Sequence, residues 1–215
     1  MRLKTLFIRF YKSFNFDYLR KNNSQVRPKP WELIGDKWFP YVTISIDPKV
    51  TNVVGANESG KSHLLSAIEK GILGQGIERQ DFCRYSQYFT LQKGKIRFPD
   101  FGFEWGELSE AEIHSVRVAG KIPEDIEFNS FYLFRNNGER LSIYISESNS
   151  YELYKVDDKS LAALTNILPK VFRMNSDVAL PIYNRSISQV WKDWISIAST
   201  SFPQVEPPTF HIWYL

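Results

Sequence analysis

Residues Thr51–Leu73, "TNVVGANESGKSHLLSAIEKGIL", decide how this 215-residue chain is read. Three signals succeed one another there: a short apolar run, a glycine-framed loop, and apolar residues at helical spacing. Gly55 to Ser62 match the pattern Gly-x-x-x-x-Gly-Lys-Ser. Glycines let a chain curl tightly enough to turn several backbone N–H groups inward, and Gly55 and Gly60 supply that freedom. A following helix adds unsatisfied N–H groups and the positive end of its dipole. Lys61 is placed to reach the β- and γ-phosphates of a nucleotide, and the Ser62 hydroxyl to ligate Mg²⁺. Gly55, Ala56, Asn57, Glu58, Ser59, Gly60, Lys61, Ser62 and His63 are therefore the candidate nucleotide-binding residues. Glu58 places a carboxylate among phosphates, tolerable only if its side chain points outward.

Around the loop, "VTNVV" (50–54) reads as a short buried strand. Leu64, Leu65, Ala67, Ile68, Ile72 and Leu73 form the apolar face of a helix that Gly71, Gly74 and Gly76 end. Toward the N-terminus, "RLKTLFIRF" (2–10) predicts a first strand and "YVTISID" (41–47) a half-buried one. Between them, residues 17–40 read as an irregular insertion with Pro28, Pro30, Gly35 and Pro40. Its Arg20, Lys21, Arg27 and Lys29 read first as surface charge and second as contacts to a DNA backbone.

Toward the C-terminus, residues 88–105 predict extended structure around Gly94 and Gly102. Ser109 with Glu112 three residues on has the form of a capping box. A hairpin region spans 130–156: "SFYLFRNNGERLSIYISES" turns at Asn136, Asn137 and Gly138, and "YELYKVDD" adds a strand. The end, 159–215, is helical and then Pro-rich. A helix stops before Pro169, a strand comes next near 171–174, and "SISQVWKDWISIAST" is amphipathic. Trp191 and Trp194 read as core packing rather than a base-stacking platform. The apolar terminal run, "FPQVEPPTFHIWYL", implies that natural sequence or a partner surface continues beyond it.

Composition narrows the class. A hydrophobic fraction of 43% and a charged fraction of 24% suit an ordinary globular chain, and 15% aromatics argue against disorder. The net charge of +3 permits contact with nucleic acid without demanding it. The one cysteine, Cys83, excludes an internal disulfide and reads as a buried apolar residue. No apolar run approaches the ~18 residues of a membrane span, and the N-terminus is too charged for a signal peptide. A cytoplasmic protein with no membrane partner is expected. His63, His114 and His211 lie far apart without neighbouring cysteines, which argues against zinc. His63 itself reads as a helix-face side chain or as a neighbour of the nucleotide. Asp81, Glu104 and Asp157 do not assemble convincingly into a nuclease cluster.

"MRLKTLFIRFYKSF" and "ISIDPKVTNVVGANESGKSHLLSAI" together resemble the N-terminal lobe of ABC-type ATPase heads of the SMC, RecF and OLD group. In that group the opening strand ends in Asn-Phe-Arg/Lys-Ser-Phe. Here Lys12, Ser13 and Phe14 match its last three positions. The resemblance adds Lys12 and Ser13 to the nucleotide site. It implies an α/β P-loop fold with a mixed sheet and antiparallel hairpins, spanning 1–215, and ATP and Mg²⁺ as cofactors. It also implies a glutamine that contacts Mg²⁺ and the attacking water. Gln87 is the candidate, Gln80 and Gln92 its rivals, and Arg84 beside it reads as a salt-bridge residue or a sensor of phosphate. "LPKVFRMNSDVALP" resembles a late strand of OLD-like members, and "FYKSF" with "PWELIGDKWFPYV" looks most like SMC-like anti-phage ATPases of the Lamassu kind.

Heads of this group hydrolyse ATP with an apolar strand ending in Asp-Glu and a Ser-Gly-Gly signature from a second head. "YELYKVDD" ends in Asp157 and Asp158 without the apolar run, and Ser-Gly-Gly is absent. The chain is thus expected to be the ATP-binding half of an ATPase. A second head, in a homodimer, and a C-terminal lobe would complete it, and DNA or an effector subunit would be its partner, in anti-phage defence or DNA repair. Two alternatives stay open: an OLD-type nuclease regulated by ATP, and a non-catalytic nucleotide-binding scaffold.

Overall fold

The computed structural model describes residues 1–171 apart from 19, 21–25, 93, 139–140 and 148–149. Lys21, Trp191, Trp194, His211, the strand expected near 171–174 past its first residue, and the amphipathic helix at 186–200 lie outside the described residues. Among those described, the architecture is α/β, with a six-stranded sheet in the order β4-β1-β5-β6-β7-β8. These strands are β1 (Arg2–Arg9), β4 (Val42–Ser45), β5 (Asp100–Gly106), β6 (Ser130–Arg135), β7 (Leu141–Glu147) and β8 (Ser150–Lys155). A two-stranded ladder, β2 (Leu33–Ile34) with β3 (Lys37–Trp38), stands apart. Every pairing is antiparallel. The expected mixed sheet is corrected for the described residues, among which no parallel pairing occurs: β6, β7 and β8 follow one another as hairpins, which antiparallel pairing accommodates.

Period-two alternation gives the sheet two different faces. Leu6, Ile8, Phe101, Phe103, Phe131, Leu133 and Ile143 point into the larger core. Helices α1 (Lys61–Leu73), α2 (Glu110–Gly120) and α3 (Asp158–Ile167) contribute Ile68, Val116 and Leu164 to that core. The opposite face is aromatic: Phe7, Tyr41, Phe134 and Tyr144 gather around Trp31. Trp31 belongs to the 17–40 insertion and stacks on Tyr132 and Phe134 with ring centroids 4.8 and 4.9 Å apart. The insertion is thus a cover for half of the sheet, with a 3-10 turn at Pro30–Glu32 and the β2–β3 ladder inside it.

Two strand expectations fail. Residues 50–54 form no strand, and Val54 is 89% exposed. Asp47 turns the chain after β4 by accepting the N–H groups of Lys49 and Val50, and no described strand lies alongside to pair with residues 50–54. A lone extended segment has no ladder to join. Residues 88–92 and 94–99 are likewise turns and loop, and extended structure begins only at Asp100.

Local signals read correctly elsewhere. Ser109 caps α2, its side chain accepting from the Glu112 N–H while Glu112 returns the bond. Asn137 and Gly138 sit at φ 53° and 68° between β6 and β7, and α3 stops at Ile167, short of Pro169. Helix α1 is closed by Gly74 in the left-handed conformation, not by Gly71. Gly71 lies inside the helix, where a Cβ would meet Phe103 Cζ at 2.6 Å and Phe101 Cβ at 3.0 Å. Close approach of helix to sheet, rather than termination, explains it. Although alanine favours helix over glycine by about 1 kcal/mol, Gly71→Ala should destabilise the fold by about 1–3 kcal/mol through overpacking, measured by urea unfolding. A stabilised variant would show that the helix shifts freely on β5.

Candidate nucleotide-binding loop

The phosphate-loop sequence closes into tight turns. Ser59 N donates to Ala56 O at 3.2 Å, and Glu58 and Gly60 take φ values of 64° and 94°. Gly60 is the N-cap of α1, and Leu64 N donates to its carbonyl at 3.0 Å to start the helix. A Cβ at Gly55 would lie 2.6 Å from Ser59 Oγ, so a side chain there would require the Ser59 hydroxyl to turn away. Lys61 folds back over the loop, its Nζ donating to Gly55 O at 2.8 Å and Ala56 O at 2.7 Å. An ammonium has three N–H groups, so these two bonds leave one for an anion. Asn57, Glu58 and Ser62 are exposed, which leaves the Ser62 hydroxyl open to a cation and keeps the Glu58 carboxylate in water.

Beside the loop stands the turn that ends β1. Tyr11 N donates to Phe14 O at 3.2 Å and Phe14 N to Tyr11 O at 2.7 Å, with Phe10 and Lys12 at φ 59° and 49°. Such conformations in non-glycine residues cost about 1–3 kcal/mol and persist where surroundings over-determine them. Here the buried Tyr11 donates its hydroxyl proton to Ser66 Oγ on α1 at 3.1 Å, pinning the turn to the helix. Ser13 Oγ then lies 3.3 Å from where a Gly60 Cβ would be and 3.4 Å from His63 Nδ1. Ser13, some fifty residues away in sequence, thus meets both the loop and the first turn of α1. Burial and the Lys12 ammonium hold the His63 imidazole below its usual range, so it is neutral at pH 7.

A third segment locks onto this turn. Lys12 N donates to Asp81 O at 2.8 Å and Cys83 N to Phe10 O at 2.7 Å. The Asp81 carboxylate, 3% exposed, takes Lys70 Nζ from α1 at 2.6 Å and lies 3.5 Å from Lys12 Nζ. Burial works against its charge, but the Lys70 bond, the Glu78 N–H and Lys12 outweigh it and hold the carboxyl below its usual range. Sequence reading missed this bridge, because a separation of eleven residues between Lys70 and Asp81 matches no local pattern.

Gln87 has other partners. Arg20 donates to its Oε1 at 2.5 Å, and its backbone N–H donates to Asp17 Oδ2 at 2.9 Å. Among the described residues no hydrogen bond joins it to Ser62. Gln80 bonds Glu78, Gln92 is bonded through its backbone to Thr90, and Arg84 is exposed. Of the basic insertion residues, Arg20 also lies over Phe39 and Lys29 over Tyr151, while Arg27 is exposed.

Asp157 is the N-cap of α3, accepting from Ser160 N at 2.8 Å and pairing with Lys121. Glu104 accepts from Thr5 Oγ1, and His114 is exposed on α2. Among the described residues no group of three His, Cys, Asp or Glu side chains is placed to hold a metal, and no helix is long and apolar enough to cross a membrane.

No protein-family model matches the chain, and no curated protein matches it. Among solved structures, one reported under "Structural biochemistry of ATP-driven dimerization and DNA stimulated activation of SMC ATPases" is similar at 15% identity and a TM-score of 0.45. The alignment covers 91% of this chain and 99% of that one. The likeness is remote.

Proposed function

We propose that this chain is the ATP-binding lobe of an ATPase head of the SMC/RecF/OLD-like group. The observation that carries the reading is the Lys61 ammonium clasped to the Gly55 and Ala56 carbonyls at the N-terminus of α1. That arrangement leaves one Lys61 N–H for an anion beside the N-terminus of α1, and an exposed Ser62 hydroxyl for a cation. Gly55–Ser62 would cradle the phosphates, with Lys12, Ser13 and His63 along one side and Ser62 holding Mg²⁺. When bound, Mg²⁺ would neutralise charge between the β- and γ-phosphates. This chain's own residues bind, orient and shield the triphosphate; groups for activating water would come from a second lobe and a second head. Head dimerisation around ATP would then act on DNA or gate an effector, in anti-phage defence or DNA repair.

Titration of the full-length protein with a fluorescent ATP analogue, with and without Mg²⁺, tests this. Micromolar binding that ATP and pyrophosphate both displace is expected, since phosphate contacts dominate. Light scattering should show ATP-dependent dimers, and DNA should alter turnover. Failure to bind the analogue at millimolar concentration would overturn the assignment.

A further inference from the structure

Two ammonium groups share the one Asp81 carboxylate, and they do so unequally. Lys70 holds it at 2.6 Å, whereas Lys12 stands off at 3.5 Å with about a third of its side chain exposed. Lys12 is also the residue whose backbone is strained at φ 49° and whose N–H is bonded to Asp81 O. Asp81 therefore restrains Lys12 twice, through main chain and side chain, at the turn whose next residue, Ser13, lies against Gly60. A lysine tail on a surface turn ordinarily samples many rotamers, and ordering it on binding costs affinity. At 3.5 Å the carboxylate tethers Lys12 loosely enough to leave its charge available.

We propose that Asp81 is a positioning residue for nucleotide binding, holding the Lys12 ammonium ready at the edge of the phosphate loop. The proposal rests on the nucleotide reading of that loop. Asp81 itself touches no phosphate; it acts through Lys12.

A double-mutant cycle on the full-length protein, read as the Kd of a fluorescent ATP analogue, tests it. Asp81→Asn should weaken binding about five- to tenfold, and Lys12→Ala at least as much. In the Lys12→Ala background, Asp81→Asn should have no weakening effect. Lys70→Ala breaks the shorter ion pair on the same carboxylate, so it should lower Tm yet leave Kd within about twofold. That split separates positioning from a general loss of stability. Asp81→Glu keeps the charge but displaces it by a methylene, and it should weaken binding in the same Lys12-dependent way, which covers a poorly folded Asp81→Asn.

Removing a negative charge near a polyanion would by itself strengthen binding. Tighter or unchanged binding by Asp81→Asn, or an equal loss with and without Lys12, overturns the positioning role. If the wild type binds no analogue, or Lys61→Ala binds as well as wild type, the loop assignment fails first. If those controls hold and only the cycle shows no coupling, the failure belongs to Asp81 alone.

Discussion

Arg9→Met should destabilise the fold by about 3–5 kcal/mol, the range for breaking a buried ion pair from one side. Arg9 and Asp100 are 1% and 0% exposed, joined by bonds of 2.8 Å from Nε and 2.6 Å from Nη2 to one carboxylate oxygen. The guanidinium also donates to Phe39 O at 2.8 Å and lies 4.2 Å from the Tyr41 ring centroid, tying the insertion to β1. The other carboxylate oxygen takes Asn137 N at 2.6 Å from the β6–β7 turn. With Arg9 gone, Asp100 retains only the Asn137 N–H among these bonds at a fully buried site. Asp100→Asn should cost a similar amount by stranding the guanidinium. The double replacement, Arg9→Met with Asp100→Asn, should cost clearly less than the sum, because neither charge is then left alone. Urea unfolding of the three variants gives the comparison. Additive losses would show that the two side chains act independently.

Lys61→Ala should weaken nucleotide binding about 100-fold or more, since bonds to charged groups contribute about 1.5–3 kcal/mol each and the substitution removes both a phosphate bond and the clasp on the loop. Stability without nucleotide should change by less than about 0.5 kcal/mol, as the lysine is bonded at an exposed site. The diagnostic result is therefore a vanished thermal shift: excess ATP should raise the Tm of the wild type by mass action and leave the variant unmoved. Arginine at the same position should not restore binding, because a planar fork does not replace a point charge wedged between two carbonyls. An undiminished thermal shift in Lys61→Ala would remove the lysine from the phosphate site.

Residue order reveals the features that neighbours in sequence decide. The Ser109–Glu112 cap, the Asn137–Gly138 turn and the stop before Pro169 need only a few adjacent residues, and each stands where expected. So does the start of α1 at the phosphate-loop sequence. The run at 50–54 has strand-forming residues, but a strand is a relation between two segments, and the second is not among the described ones. Gly71 reads as a terminator because a helical glycine looks alike whether it ends a helix or lets a sheet approach. The insertion reads as featureless for a related reason: its value to the fold lies in Trp31, which finds Tyr132 and Phe134 a hundred residues later. At the loop, the sequence pattern names Lys61 and the family resemblance names Ser13, but nothing in either points to Asp81 as the joint between the turn and the helix.

Arg135 lies with its Nε 3.5 Å from Gly71 O and its guanidinium against Gly74, at the C-terminal end of α1. The same helix begins at Gly60, so a rod of thirteen residues, about 20 Å long by its rise, runs from the phosphate-loop sequence to the turn end of the β6–β7 hairpin. Axial travel of that rod by even an ångström must drag the arginine or shear the contact. A spectroscopic label at the hairpin tip would therefore report on events at the opposite extremity of α1 without touching them.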